Sequence, residues 1–464
     1  MVNQPVFTLR SALNVAQIPA SGGPRLLYLY LEIGQAPQLS VTRAPVNLAV
    51  LVDASESMLI PSLADELVEE LARRGLLVET IADGIPVFRV LAMPDDLLPY
   101  AEPVTSMDFV QEALRVLIER LGPDDHISLI AFAEKAKTLV SNCPGKDKRK
   151  ILGVLDTLAS GKFGDETYLA AGLQMALNEA QRGHRIERLT RVLLLTDGFA
   201  ADEQQAQVMA GRIAASGFTL STVGLGLAFN EGFLIGLAEQ SGGNAHLVFR
   251  AQEISDVFAA ELESTQRVVL RTLDLRIAFA AGIELRRAHR VQPVISELSL
   301  AGLQDRSVTI PLGELVRDQP SAVLLELVFP ARPPGAYRLA QIVATGEAPL
   351  QQGERSLVRS DVMLQVTQPD QIPVSPDPRI MRLVETVGTF RLQTRALADA
   401  AAGDIANATR KLQVAATRLL AEGEEELASA VQVEIDNLQQ QGQLSAAGTK
   451  KLRYETRKLT QKLG

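Results

Sequence analysis

The chain of 464 residues is poor in the residue types on which many enzyme sites depend: it has one cysteine, four histidines and no tryptophan. The single cysteine, Cys143, cannot form an intramolecular disulfide, so the fold does not require an oxidising compartment. No two histidines have the spacing of a helical zinc site, and the sequence has no Gly-x-Ser-x-Gly, no P-loop and no dinucleotide-binding fingerprint. These absences argue against zinc enzymes, serine hydrolases and nucleotide-dependent enzymes.

The chain also lacks an excess of positive charge and long apolar runs. The formal net charge is -9 and the isoelectric point is near 5.3, which argues against general nucleic-acid binding because phosphate neutralisation needs a basic face. No stretch of eighteen residues is continuously apolar, and the first residues do not form a basic segment followed by an apolar one. We therefore expect a soluble, cytoplasmic protein without a membrane span, and a chain long enough for two to three domains.

What the sequence does contain is a hard-metal ligand pattern at the end of an apolar strand. The run Asn47-Leu-Ala-Val-Leu-Val-Asp53-Ala-Ser55-Glu-Ser57 brings a carboxylate and two hydroxyls to one turn. Oxygen ligands suit Mg²⁺, Mn²⁺ or Ca²⁺ rather than zinc. Alone, the pattern is equally compatible with a capped turn between a strand and a helix.

Two later segments favour the metal interpretation. Gly164-Asp-Glu-Thr167 is a polar loop that opens a predicted helix, and Thr190-Arg-Val-Leu-Leu-Leu-Thr-Asp197-Gly is a second apolar strand that ends on a carboxylate. The order and spacing of the three segments resemble the von Willebrand factor A (VWA) family. The metal-ion-dependent adhesion site (MIDAS) of that family combines Asp-x-Ser-x-Ser, a separate Thr and an Asp after a later strand. The resemblance covers residues 45–260.

The resemblance implies a site made of five residues and a role in binding. Ser55, Ser57 and Thr167 would contact the metal directly, and Asp53 and Asp197 would hold it largely through waters. Neutral hydroxyls leave the cation under-neutralised, so its open position attracts an anionic oxygen. In this family that oxygen typically belongs to an Asp or Glu of a protein partner.

Glu56 departs from the family pattern, which often has glycine at this position. A carboxylate that faced the metal would lower its electrophilicity. We expect the Glu56 side chain to point to solvent instead.

The segments on either side of the VWA-like region predict β-structure, and the last segment predicts helices. The predicted fold is multidomain, α/β plus β: a doubly wound, Rossmann-like VWA domain inserted in a β-sandwich and followed by a C-terminal helical bundle. The predicted boundaries are 1–44 for the first strands of the sandwich, 45–264 for the VWA domain, 265–368 for the remaining strands, 369–378 for a linker and 379–464 for the helices.

An unusual insertion follows the first metal-binding motif. The helix that should come directly after it starts about fifty residues later, and residues 60–105 have the pattern of a helix followed by a β-hairpin. The insert is either a structural elaboration or a wall of the metal face that selects partners.

Three functions fit these observations. The leading hypothesis is a non-catalytic, metal-dependent scaffold that captures an acidic residue of a partner, with an AAA+ ATPase system as a partner class suggested by family resemblance. A membrane- or channel-associated adhesion protein is an alternative, which the lack of disulfides disfavours. A Mg²⁺-dependent hydrolase is a further alternative, although no His or Lys accompanies the serines in sequence.

Overall fold

The computed structural model of the protein forms two compact units. One unit spans Arg43–Gln266, and the other combines Met1–Thr42 with Arg267–Gly464. The residues described are 6–20, 23–37, 43–62, 65–82, 85–94, 96–97, 104–160, 163–226, 229–248, 253–300, 302–348, 355–368 and 375–463.

A twisted, mostly parallel sheet forms the centre of the unit at residues 43–266. Its strands are β4 (Val46–Asp53), β9 (His126–Phe132), β10 (Ala136–Pro144), β11 (Leu189–Thr196), β12 (Thr219–Leu225) and β13 (Ala245–Val248). Their order is β10-β9-β4-β11-β12-β13, and only β10 runs antiparallel to its neighbour. All residues of β4 and β11 are buried, which explains why the middle of each strand, residues 48–52 and 192–195, is a continuous apolar run rather than an alternating one.

Helices cover both faces of this sheet. The helices on one face are α2 (Ser106–Arg120), α3 (Lys148–Leu152), α4 (Asp156–Ser160) and α8 (Ile254–Gln266). Those on the other face are α5 (Leu169–Gly183), α6 (Glu203–Ala215) and α7 (Glu231–Ser241). The predicted doubly wound α/β architecture is confirmed. The chain leaves β4 for β9 on one side and reaches β11 on the other, so the carboxyl end of β4 lies at a switch point, where such sheets bind ligands.

The insert between β4 and α2 is closed by a short stem. A 3₁₀ turn at Glu56–Leu59 leads into β5 (Pro61–Ser62), which pairs antiparallel with β8 (Val104–Thr105). Beyond the stem lie α1 (Asp65–Arg73), β6 (Leu77–Ala82) and β7 (Ile85–Val90), and the last two form a hairpin. The predicted turn at residues 83–84 lies outside the described residues. Thr105 and Asp108 then form a reciprocal capping box that starts α2.

The other unit contains two five-stranded sheets. The first, in the order β1-β3-β18-β15-β16, contains β1 (Phe7–Leu13), β3 (Arg25–Gln35), β15 (Glu284–Gln292), β16 (Ser296–Glu297) and β18 (Ser321–Phe329). The second, in the order β17-β14-β19-β20-β2, contains β2 (Gln17–Pro19), β14 (Val268–Phe279), β17 (Ser307–Val316), β19 (Gly335–Glu347) and β20 (Arg355–Thr367). Alternate residues of both sheets, such as Leu29 of β3 and Leu275 of β14, belong to one hydrophobic cluster.

Four helices follow in the described part of the chain: α9 (Pro378–Ala401), α10 (Ile405–Ala421), α11 (Glu425–Gln441) and α12 (Ala446–Lys458), with a 3₁₀ turn at Leu459–Leu463. The predicted helical domain is confirmed. Asp377 caps α9 by accepting hydrogen bonds from two amides of its first turn, and Pro378 fits the first helical position. The helices pack on the face of the first sheet that carries Tyr30 and Leu324.

Several strands were not predicted from the sequence, among them β2, β10, β13, β15 and β16. β15 (Glu284–Gln292) lies inside the first sheet, beside β18, although charged residues interrupt its apolar pattern. Most of the predicted linker, residues 369–374, lies outside the described residues. None of the helices described here is long and apolar enough to cross a membrane.

Candidate metal centre

The ends of two adjacent parallel strands bring Asp53 and Asp197 to the same edge of the sheet. Leu195 of β11 pairs with Val52 of β4, so Thr196 lies beside Asp53 and Asp197 follows directly. Asp53 is fully buried. Its Oδ2 accepts a hydrogen bond of 2.6 Å from the Thr196 hydroxyl, and its Oδ1 accepts one of 3.0 Å from the Ser55 amide.

A chain of hydroxyls connects the two halves of the site. The Oγ atoms of Ser55 and Ser57 are 3.0 Å apart, and the Ser57 hydroxyl donates to Asp197 Oδ1 at 2.7 Å. Ser55 is buried, whereas Ser57 is exposed. The site is therefore open to solvent on its Ser57 side and closed around Asp53.

Thr167 approaches the site from the loop that precedes α5. A Cβ atom built on Gly198 would lie 3.2 Å from the Thr167 hydroxyl oxygen, so this hydroxyl packs against the residue that follows Asp197. The Thr167 carbonyl also accepts a hydrogen bond of 2.9 Å from the Ala201 amide. Among the described residues, the Thr167 hydroxyl makes no hydrogen bond to the other four predicted site residues.

Burial raises the pKa of both carboxyl groups, and repulsion by Asp53 adds to this effect at Asp197. Burial, and then the nearby Asp53 carboxylate, raise the pKa of Asp197 to about 7, with a smaller opposite effect of the Ser57 hydrogen bond. Burial also raises the pKa of Asp53, against the hydrogen bonds from Thr196 and Ser55. A cation between the two would relieve this repulsion and favour the charged form of both carboxylates.

The donor set fits a hard divalent cation. It offers two carboxylates and three hydroxyls, all of them oxygen donors, as Mg²⁺, Mn²⁺ and Ca²⁺ prefer. In the part of the chain that the structure describes, no group of three or more His, Cys, Asp or Glu side chains is arranged to hold a metal. Metal binding here would therefore depend on the hydroxyls of Ser55, Ser57 and Thr167 as well as on the two carboxylates. Glu56 is exposed, as expected.

Two supporting residues were not predicted from the sequence. Thr196 orients Asp53, and Asp202 accepts hydrogen bonds from the amides of Leu169 and Ala170 at 2.7 and 2.9 Å, which fixes the loop that carries Thr167. Thr196 could have been found because it precedes Asp197 at the strand end. Asp202 had no such signal, since it lies more than thirty residues from the amides it caps.

Comparison with known proteins identifies two domains. Residues 104–263 match the model of the von Willebrand factor type A domain, and residues 378–462 match the Sll0103-like, C-terminal alpha-helical domain. The first match begins after the insert and so does not include Asp53, Ser55 or Ser57.

Two curated relatives are both uncharacterized proteins. The chain is 26% identical to sll0103 of Synechocystis sp. over 314 residues, which is 67% of this chain and 74% of that protein. It is 27% identical to YfbK of Escherichia coli over 179 residues, which is 37% of this chain and 30% of that protein.

Two solved structures share the fold over almost the whole chain. One is a von Willebrand factor type A protein from Catenulispora acidiphila, with a TM-score of 0.72 and 15% identity over 99% of this chain and 98% of that one. The other is the ArnB paralog VWA2 from Sulfolobus acidocaldarius, with a TM-score of 0.56 and 15% identity over 98% and 99%. The chain thus contains a von Willebrand factor type A domain and a C-terminal helical domain of the Sll0103-like type.

Proposed function

We propose that this protein is a non-catalytic, metal-dependent interaction scaffold whose MIDAS captures an acidic side chain of a protein partner. The observation that supports the proposal most is the hydrogen-bonded arrangement of Asp53, Ser55, Ser57 and Asp197 at the switch point of the sheet. Mg²⁺ is the expected cation, with Mn²⁺ or Ca²⁺ as substitutes. The hydroxyl ligands would leave positive charge at the open side of the site, where a partner carboxylate could bind.

Exposed apolar side chains lie close in sequence to the site residues. Phe199 is 54% exposed, Tyr168 is 39% exposed and Ile60 is 64% exposed, and each lies within three residues of a site residue. Apolar residues beside a polar anchor are typical of protein interfaces. A protein partner therefore explains these residues better than a small substrate would.

A role in binding rather than catalysis is supported by the hydrogen bonds of the site. The described partners of the five residues are hydroxyl, carboxylate and backbone groups, and none is a histidine or a lysine that could act as a general base. A turnover screen with phosphate and carboxylate esters tests this point. Mg²⁺-dependent turnover that is abolished in Asp53→Asn would establish a hydrolase instead.

Metal-dependent carboxylate capture can be measured without knowing the partner. Mn²⁺ bound to the full chain enhances water-proton relaxation, and a carboxylate that takes the open position should reduce this enhancement. We expect a reduction with the peptide acetyl-Gly-Asp-Gly-amide and none with its Asn counterpart. Equal effects of both peptides, with Mn²⁺ bound, would contradict carboxylate capture.

We infer further that the two sheets form one β-sandwich, that the VWA domain is inserted in it, and that sandwich and helices position other components. One hydrophobic cluster shared by both sheets supports this inference, as does the interruption of one compact unit by the other in the sequence. An AAA+ ATPase remains the proposed partner class. Affinity capture on the full chain with Mg²⁺, with and without chelator, tests this partner class. The proposal requires that an ATPase captured by the wild type is lost with chelator and is not captured by Asp197→Asn.

The insert is proposed to form one wall of the metal face. Its stem, Pro61–Ser62 paired with Val104–Thr105, begins directly after the turn that carries Ser57. Because the stem strands are adjacent, a short Gly-Ser turn can replace residues 63–103. Unchanged partner affinity in that variant would make the insert a structural elaboration.

We also propose a cytoplasmic location on the basis of the single cysteine, which cell fractionation tests.

A further inference from the structure

A cavity of about 370 Å³ lies in the unit that contains the two β-sheets and the helices. Its walls come from the helix-facing side of the first sheet, with Arg10 on β1 and Tyr30 and Glu32 on β3, and from Arg379 and Arg382 in the first turns of α9. A volume of this size is within the range of sites that bind small molecules.

The cavity has an excess of positive charge. Arg10 lies opposite Glu32 in the sheet register, and their side chains form an ion pair of 3.5 Å. Arg379 and Arg382 have no ion-pair partner among the described residues. Among the lining residues, three guanidinium groups therefore accompany one carboxylate, and all three arginines are exposed to solvent.

Arg379 and Arg382 lie in the first turns of α9, at the end of the helix where positive charge is disfavoured. The amino end of a helix carries partial positive charge, so cations in the first turn are disfavoured. The first turn of α9 contains no acidic residue. The capping carboxylate of Asp377 already accepts hydrogen bonds from the amides of Arg379 and Ile380, at 2.8 and 3.4 Å.

The cavity wall also contains an unsatisfied acceptor. The side-chain oxygen of Gln292 is buried and has no hydrogen-bond partner among the described residues. The Tyr30 hydroxyl is already committed, because it donates to Glu32 at 2.8 Å. Ile380 and Leu383 supply an apolar part of the wall. The lining thus offers two free cations, one acceptor and a small apolar surface.

We propose that this cavity binds a small dianion, either a phosphomonoester or a dicarboxylate, through the guanidinium groups of Arg379 and Arg382. Guanidinium groups bind phosphate and carboxylate through paired hydrogen bonds, and two of them match the charge of a dianion. A hydroxyl on the ligand would donate to Gln292. The cavity lies in a different unit from the metal centre, so this inference does not rest on the proposed function.

Calorimetric titration of the full chain with inorganic phosphate and with succinate, each against chloride at equal ionic strength, tests the proposal. We expect saturable binding of at least one dianion, weakened about tenfold by Arg379→Gln and by Arg382→Gln. Arg359→Gln on β20 is the matched control, because Arg359 is exposed and does not line the cavity. Its affinity should equal that of the wild type.

The two probes distinguish the ligand classes. Binding of phosphate but not succinate would identify a phosphomonoester site, and the reverse would identify a dicarboxylate site. The proposal is wrong if neither dianion saturates the protein up to about 10 mM, or if the double variant at residues 379 and 382 binds as tightly as the wild type. Thermal unfolding in chloride verifies that each variant is folded.

Discussion

Glu261 and Asp197 are carboxyl residues of the same α/β unit, yet their surroundings are opposite. Glu261 on α8 accepts hydrogen bonds from Arg191 at 2.7 Å, Asn244 at 2.8 Å and His246 at 2.8 Å. Burial alone would raise the pKa of Glu261, but Arg191, followed by His246, holds it far below the usual range. Asp197 faces another carboxylate and a hydroxyl instead, and its pKa is about 7.

The two carboxylates differ in whether the fold supplies a cation for them. Glu261 has its cation built into the fold, since Arg191 on β11 is itself buried, and the pair fastens α8 to the sheet. Asp197 and Asp53 have hydroxyls where Glu261 has an arginine. A carboxylate pair without a cation of its own is what a site that receives a metal from solution requires.

The largest effect on the free energy of unfolding is expected at Glu261, whose carboxylate is paired with Arg191. Glu261→Gln leaves the buried guanidinium of Arg191 without its counter-charge, and such a change costs about 3–5 kcal/mol of the free energy of unfolding. Urea unfolding measures it. Asp256→Asn on the same helix is the matched control, because Asp256 is exposed and should contribute little. If Glu261→Gln lowers the free energy of unfolding by less than about 1 kcal/mol, the ion pair between Arg191 and Glu261 does not hold α8 on the sheet.

A smaller effect is expected at the residue that orients the metal centre. Thr196→Val keeps the side-chain shape but removes the hydroxyl that donates to Asp53, which leaves a buried carboxylate oxygen unsatisfied and should cost about 1–3 kcal/mol. Thermal unfolding of metal-free protein measures it, with the exposed Thr417→Val as control. A neutral result would remove Thr196 from the support of the site.

The pH dependence of the stability of the metal-free protein provides a third contrast between Asp197 and Glu261. The pKa of Asp197 is about 7 in the folded state, above its unfolded value of about 3.9, so the folded state binds the extra proton between these values. Its contribution to stability is complete below about pH 4 and is lost as pH rises through about 7. After solvent screening of this partly exposed group, we expect about 1–2 kcal/mol.

The control for this contrast is Asp197→Asn, which should lack that gain of stability on acidification. Glu261 acts in the opposite direction: its stabilisation is present above about pH 4.3 and is lost only as pH falls through its depressed folded pKa. Identical stability profiles of wild type and Asp197→Asn between pH 4 and 7 would contradict the electrostatic account of the metal centre.

Local sequence patterns indicated the positions of Asp53 and Asp197 at strand ends better than they indicated the residues that support them. Asp53 and Asp197 end apolar strands, and that signal is contained in a few adjacent residues. The Arg191–Glu261 pair is separated by seventy residues and is formed only when α8 packs on the sheet. No periodicity in the sequence indicates such a contact.

The strand β15 shows a second limit of the sequence patterns. Its segment Glu284–Gln292 contains Arg286, Arg287 and Arg290, so its apolar alternation is weak. The structure places Arg287 against Glu326 of β18 at 2.8 Å, on a half-buried part of the sheet. The charge of Arg287 is balanced by Glu326, which lies 39 residues away in sequence and comes close only in the folded chain.

The most direct test of the metal centre is a thermal unfolding titration of chelator-treated protein with Mg²⁺, Mn²⁺ and Ca²⁺. Wild type should be stabilised in a saturable way, by about 2.7 kcal/mol at a hundredfold excess over the dissociation constant, because the metal binds only the folded state. Asp197→Asn should not respond to metal and, without metal, should be at least as stable as wild type, since the carboxylate repulsion is gone. Asp256→Asn should behave as wild type. No stabilisation of wild type by any of the three ions, or equal stabilisation of Asp197→Asn, would contradict the account.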